Sequence, residues 1–104
     1  MIVYRIEDRN GEGPFCHKDG TLKTDKTIKF NRCNWLYAFD DPSCFLRDSY
    51  KLFYNSSEYT LFEIKISKPL NRGRYDEHEI RFLPKNIQTK MAIKKEINHE
   101  QQFD

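Results

Sequence analysis

Apolar and polar residues alternate most cleanly at 60–66, where Thr60, Phe62, Ile64 and Ile66 interleave with Leu61, Glu63 and Lys65. A period of two gives a chain two distinct faces, as a β-strand requires. This segment is therefore expected to be a strand, closed by Pro69. Ile2-Val3-Tyr4-Arg5-Ile6, Trp35-Leu36-Tyr37-Ala38-Phe39 and the run from Glu77 to Leu83 are short and rich in β-branched and aromatic residues. They predict three more strands, the last ended by Pro84. Thr27-Ile28-Lys29-Phe30 predicts a short edge strand. The period changes after Asp40-Asp41-Pro42. Phe45, Leu46, Ser49, Leu52 and Phe53 recur at helical spacing and predict one amphipathic helix over about 42–54. Asp41 is placed to cap its free amides, and Pro42 suits the first helical position. Residues 85–104 are charged, with Ile87, Met91, Ile93 and Ile97 as sparse apolar contacts. They predict a short helix with a frayed tail at about 98–104.

Turn signals separate these elements. Asn10-Gly11-Glu12-Gly13-Pro14 follows the first strand, and Asp19-Gly20 marks a second turn. Leu70 to Asp76 holds Arg72-Gly73-Arg74 and reads as an exposed, basic hairpin or loop. A chain of 104 residues is the length of one domain. The expected fold is α+β, a small mixed or antiparallel sheet with one packed helix.

Composition narrows the function classes. Charged residues make up 33% and aromatic residues 14% of the chain, which is too aromatic for disorder. The net charge of +2 is too small to argue for nucleic acid on charge alone, and it argues against an acidic DNA mimic. No apolar run approaches a membrane span and no signal segment is evident, so no membrane partner is expected. Three cysteines, an odd number, fit a reducing cytoplasm better than a disulfide framework.

The candidate chemistry is sparse. Cys16, His17, Cys33 and Cys44 lack the paired spacing of zinc ligands, so no metal is expected. Cys44 falls in the first helical turn, where a helix dipole lowers a thiol pKa, but neither it nor Cys33 has a local base; both read as structural cysteines. Gly11 and Gly13 allow backbone amides to approach a phosphate, although a plain turn is the better explanation of them. The sharpest constellation is Arg5, Tyr37 and Glu79, one on each of three strands. An arginine can hold ribose or phosphate, an aromatic ring can stack on nicotinamide, and a glutamate can bind ribose hydroxyls and stabilise positive charge on the sugar. The ordinary reading makes Arg5 and Glu79 solvent-face strand residues and Tyr37 a core residue.

Two resemblances bear on these residues. Leu36-Tyr37-Ala38-Phe39-Asp40-Asp41-Pro42-Ser43 before a helix resembles the "Tyr-Phe-Ala-Asp then Ser" strand-to-helix step of poly(ADP-ribose) polymerase-like ADP-ribosyltransferases. His78-Glu79-Ile80-Arg81-Phe82 resembles their late strand with the catalytic glutamate, and Tyr4-Arg5-Ile6 resembles the opening "Tyr-Arg" strand of their small toxin branch. The likeness implies a minimal ADP-ribosyltransferase-like core that uses NAD. In it Arg5, Gly11, Gly13 and Tyr37 would hold the cofactor, and Glu79, Tyr37 and Arg5 would be catalytic. The chain lacks the "His-Gly-Thr/Ser" of the first strand and the Ser-Thr-Ser step of the arginine-modifying branch. Tyr4-Arg5-Ile6-Glu7-Asp8 with Gly11-x-Gly13-Pro14-Phe15 also looks like the start of small phage and prophage proteins.

Three functional expectations follow. The first is a phage-type accessory protein, without a cofactor, that binds a host or anti-phage defence protein and inhibits or redirects it in the host cytoplasm. Exposed tyrosines and arginines are the usual anchors of such interfaces, here Tyr50, Tyr54, Tyr59, Arg72, Arg74 and Tyr75. The second is the NAD-dependent effector. The third is nucleic-acid binding, with Lys29, Phe30, Arg32 and Trp35 interleaving charge and stacking surface.

Overall fold

The computed structural model describes residues 1–15, 35–72 and 76–95. The expected strand at 27–30, the nucleic-acid candidates Lys29, Phe30 and Arg32, and the frayed tail lie outside the described residues. Among the described residues six strands form one sheet: β1 (Ile2–Glu7), β2 (Leu36–Phe39), β3 (Thr60–Ile66), β4 (Asn71–Arg72), β5 (Glu79–Phe82) and β6 (Ile87–Ile93). Their order is β4-β5-β2-β1-β3-β6, and every neighbouring pair is antiparallel. The strand with the clearest alternation, 60–66, forms over the expected range.

Both faces of the sheet are apolar. Val3, Ala38, Ile64, Ile66, Ile80 and Phe82 cluster on one face, all at 0–1% exposure. Ile6, Phe39 and Leu61 cluster on the other, beneath Cys44, Phe45 and Tyr54. The register explains this division. Val3 pairs with Ile64, and Ala38 with Ile80, and directly opposed residues project to the same side of a sheet.

Two expectations are corrected. The single helix over 42–54 is two short pieces, a 3-10 turn at Pro42–Leu46 and a one-turn helix, α1, at Lys51–Tyr54. Asp41 does cap the first, its carboxylate accepting from the Ser43 amide at 2.9 Å, with Pro42 at the start. Arg47 then adopts an extended conformation, φ −64° and ψ 152°, and breaks the ladder. The apolar spacing survives in part: Phe45, Leu46 and Phe53 pack on the same sheet face, whereas Leu52 is 79% exposed. The second correction is at 87–93, which is β6 and not a helix. Ile87, Thr89, Met91 and Ile93 alternate with polar or small residues, and the strand completes the edge of β3. Three of its seven residues are β-branched, which favours a strand.

Charge is buried at the centre of the sheet. Alternation places Arg5 and Glu7 on the face of Val3, and they are 5% and 4% exposed. Arg5 Nε donates to Glu7 Oε2 at 2.9 Å, and Arg5 also donates to the Tyr37 carbonyl oxygen. Lys90 reaches Glu7 Oε1 from β6, passing 4.6 Å from the centroid of the Phe62 ring. Removing one partner of a buried ion pair leaves an uncompensated charge and costs about 3–5 kcal/mol. Glu7→Ala is therefore expected to destabilise the protein by about that amount in urea unfolding, whereas Glu58→Ala, at an exposed position, stays within about 0.5 kcal/mol.

Candidate functional site

Arg5, Tyr37 and Glu79 are not brought into one cleft. Alternation turns Arg5 to the Val3 face, where Glu7 and the Tyr37 carbonyl hold it. The Arg5 guanidinium carbon still lies 5.9 Å from the centroid of the Tyr37 ring. Tyr37 turns its hydroxyl to that of Tyr50, 3.3 Å away. Glu79, opposite Phe39 in the register, accepts from Arg81 Nε at 3.2 Å. Arg81 lies 4.5 Å from the centroid of the Trp35 ring. Arg5, Gly13 and Tyr37 line a cavity with Tyr4, Pro14 and Tyr50, but its volume is about 10 Å³. That is room for about one water, where small-molecule pockets occupy about 300–1,000 Å³.

The glycine turn is organised from within. The Asp8 carboxylate accepts from the Asn10 and Glu12 amides at 2.8 and 3.0 Å. The Gly11 amide donates to the Asp8 carbonyl at 3.0 Å. Gly11 has φ 79°, the left-handed region that glycine enters without a steric penalty. These amides are thus committed to the turn and not directed at a phosphate.

The interface candidates divide. Tyr54 is 1% exposed and stacks on Phe45 at 5.8 Å, so it is a core ring and offers no surface. Tyr50 and Tyr59 are half-buried; Tyr50 packs edge-on against Phe39 and Phe45, and Tyr59 against Phe53. Arg74 and Tyr75 lie outside the described residues. Arg72 remains, with 55% of its side chain exposed.

Arg72 belongs to a cluster built where β2 ends and β5 begins. The Asp40 amide donates to the His78 carbonyl at 3.0 Å, which joins the two strand ends. The Asp40 carboxylate takes Arg72 on one oxygen at 3.0 Å and His78 Nδ1 on the other at 2.8 Å. Arg72 also donates to the Glu77 carbonyl at 2.8 Å. Beside it Arg47 pairs with Asp76, and the Asp76 carboxylate accepts from the His78 amide at 2.9 Å. These groups border an open depression of about 420 Å³ lined by Asp40, Arg72, Glu77 and His78. Sequence reasoning missed Asp40 and His78. Their signal was available: once the second and last predicted strands are paired antiparallel, Asp40 just after one and His78 at the start of the other become neighbours.

The electrostatics follow from these contacts. Burial pushes the Asp40 pKa up, but hydrogen bonds from Arg72 and His78 outweigh it and hold the carboxyl below its ordinary 3.8. The hydrogen bond to Asp40 raises His78 above 6.5. Cys44 is the opposite case. Burial pushes its thiol up to about 11, so no thiolate forms near neutrality, consistent with a structural cysteine. Among the described residues no group of three or more His, Cys, Asp or Glu side chains is placed to hold a metal, and no helix is long and apolar enough to cross a membrane.

Comparison of the chain with protein-family models, with curated proteins and with solved structures found no match.

Two outcomes check the site. In an NMR titration the His78 ring should deprotonate above 6.5, and Asp40→Asn should return it towards that value. The stabilisation this pair gives is complete below the ordinary histidine pKa and is lost as pH rises through the higher native one. With Cys16 and Cys33 replaced by serine, Cys44 should resist a thiol reagent at pH 8 until the chain is unfolded; rapid labelling of the native protein would contradict a thiol pKa near 11.

Proposed function

We propose that this chain acts by binding: a small accessory protein, of the kind phages carry, that docks on a bacterial host or defence protein and inhibits or redirects it. The observation that carries this reading is the state of Arg72. Its guanidinium is held by Asp40 and the Glu77 carbonyl, yet more than half of the side chain stays accessible beside an open depression. An arginine fixed in advance loses little side-chain entropy on association, and arginine is among the residue types that dominate interface energies. His78 beside it makes the local charge depend on pH near neutrality. The likeness of Tyr4-Arg5-Ile6-Glu7-Asp8 and Gly11-x-Gly13-Pro14-Phe15 to the start of small phage proteins supports the choice of partner class.

The dinucleotide-enzyme reading has less support. Arg5 is committed inside the sheet, Glu79 lies towards the other face, and the cavity between Arg5 and Tyr37 is far smaller than NAD. Titration with NAD to several millimolar is expected to leave the NMR signals of Arg5, Tyr37 and Glu79 unmoved. Saturable shifts clustered on the three would restore the enzyme in place of the binding protein.

The binding reading is tested by affinity capture from bacterial lysate with wild-type and Arg72→Ala proteins. The wild type should retain a discrete partner that the variant loses by about tenfold or more, the usual effect of removing an anchor side chain. The variant's own unfolding should change by under about 1 kcal/mol, the scale of an exposed ion pair. Equal capture by both proteins would show that Arg72 is no anchor.

A further inference from the structure

β6 closes one side of the sheet, at the opposite edge from Arg72. Among the described residues it pairs with β3 on one side and with no strand on the other. Such an edge presents unpaired backbone donors and acceptors, and proteins normally guard it with proline, an outward lysine, a bulge or shortness. β6 runs for seven residues, Ile87-Gln88-Thr89-Lys90-Met91-Ala92-Ile93, and contains no proline. Its one charged residue, Lys90, does not guard it: the ammonium is drawn to the buried Glu7 carboxylate and lies over Phe62. The register shift at Lys65/Ile66 lies opposite the start of β6, so the stretch from Thr89 to Ile93 pairs regularly.

The edge is also self-complementary. An antiparallel pairing with a second copy, centred on Met91, sets Met91 against its own counterpart, Lys90 against Ala92, and Thr89 against Ile93. No like charges face each other directly, and apolar or β-branched pairs recur, which are the favourable cross-strand combinations. Because every pair joins positions of equal parity, the sheet faces of the two copies run on without a break. Met91, 53% exposed, would be covered by its twin. The net charge of +2 gives copies little mutual repulsion.

We propose that this protein self-associates through β6, two copies adding edge to edge in an antiparallel two-fold pairing centred on Met91. The surface is separate from the Arg72 end, so the proposal stands apart from the partner-binding reading. A single strand pair belongs at the small end of interfaces, below about 1,200 Å², and gives a dimer that forms with rising concentration.

The test uses the full chain with Cys16 and Cys33 changed to serine and the buried Cys44 retained. Met91→Cys should form disulfide-linked dimers under mild oxidation, since opposed residues of antiparallel strands lie about 4.5–5.5 Å apart at Cα, within disulfide reach. Gln88→Cys serves as the control. In the proposed register Gln88 faces Lys94 of the second copy, and the two Gln88 positions are about 20 Å apart at about 3.4 Å per residue. The native chain should sediment with a mass rising from 12.6 kDa towards twice that, and Met91→Asp should hold it at the monomer mass while leaving its circular dichroism unchanged. A native chain that stays monomeric at millimolar concentration overturns the proposal, as does equal cross-linking at positions 88 and 91. Protection of β6 amides from hydrogen exchange only in a one-to-one complex with another protein also overturns it, and would assign this edge to that protein's strand.

Discussion

The sheet is organised by the charged chain Lys90–Glu7–Arg5–Tyr37 carbonyl, which runs across four strands. Arg5 and Glu7 stand two apart on β1 and so share a face. One reaches outward to the backbone of β2, and the other reaches past β3 to a lysine on β6. Most of the face around them is aliphatic or aromatic. Two charges in such surroundings are tolerable only if each is matched, because desolvating an ion costs several kcal/mol. The Arg5–Glu7 pair forms within β1, and the strand order, with β1 between β2 and β3 and with β6 beyond, brings the Tyr37 carbonyl and Lys90 to its two ends. Losing either partner would leave a buried charge less well matched. The polar chain is thus satisfied by the observed topology, within a face that is otherwise largely apolar.

This commitment turns Arg5 inward. A cofactor-binding arginine has to present its guanidinium to a ligand, and here that group is directed at Glu7 and the Tyr37 carbonyl. Glu79 is likewise engaged by Arg81, which packs on Trp35. The Arg72 cluster, by contrast, lies open to solvent at the strand ends, where Asp40 and His78 are set side by side by the β2–β5 pairing and Arg72 is brought in by the two-residue strand β4. Such positions fit a site well. The sheet fixes the backbone, and the side chains project beyond the last hydrogen-bonded pair.

Much of the sheet was legible in the sequence because alternation and β-branching act locally. Thr60 to Ile66 and Leu36 to Phe39 carry their own pattern. The helical spacing of 42–54 placed Phe45, Leu46 and Phe53 on one face as found, but put the 79% exposed Leu52 with them and was read wrongly as one continuous helix, since nothing in that spacing reports the extended backbone at Arg47. β6 was missed because its apolar residues are sparse; its strand character comes from pairing with β3, a tertiary contact. Arg5 illustrates the deeper limit. Alternation alone suggests that a charged strand residue faces solvent, and only the joint placement of Glu7, Tyr37 and Lys90, up to 85 positions apart in sequence, explains why it is buried. Asp40 and His78 were within reach of sequence reasoning, but only through strand pairing and not through a motif.

The roles of Lys90 connect the interior with the edge. On an edge strand a lysine usually extends into solvent, where its charge discourages other strands from adding. Here its ammonium is spent neutralising Glu7. The more strongly the buried network draws Lys90 inward, the less charge protects the edge above it. Stability of the core and openness of the edge are therefore coupled through one side chain. A lysine that satisfies a buried carboxylate cannot at the same time repel a neighbouring strand, and the chain has placed no proline or second charge between Thr89 and Ile93 to compensate.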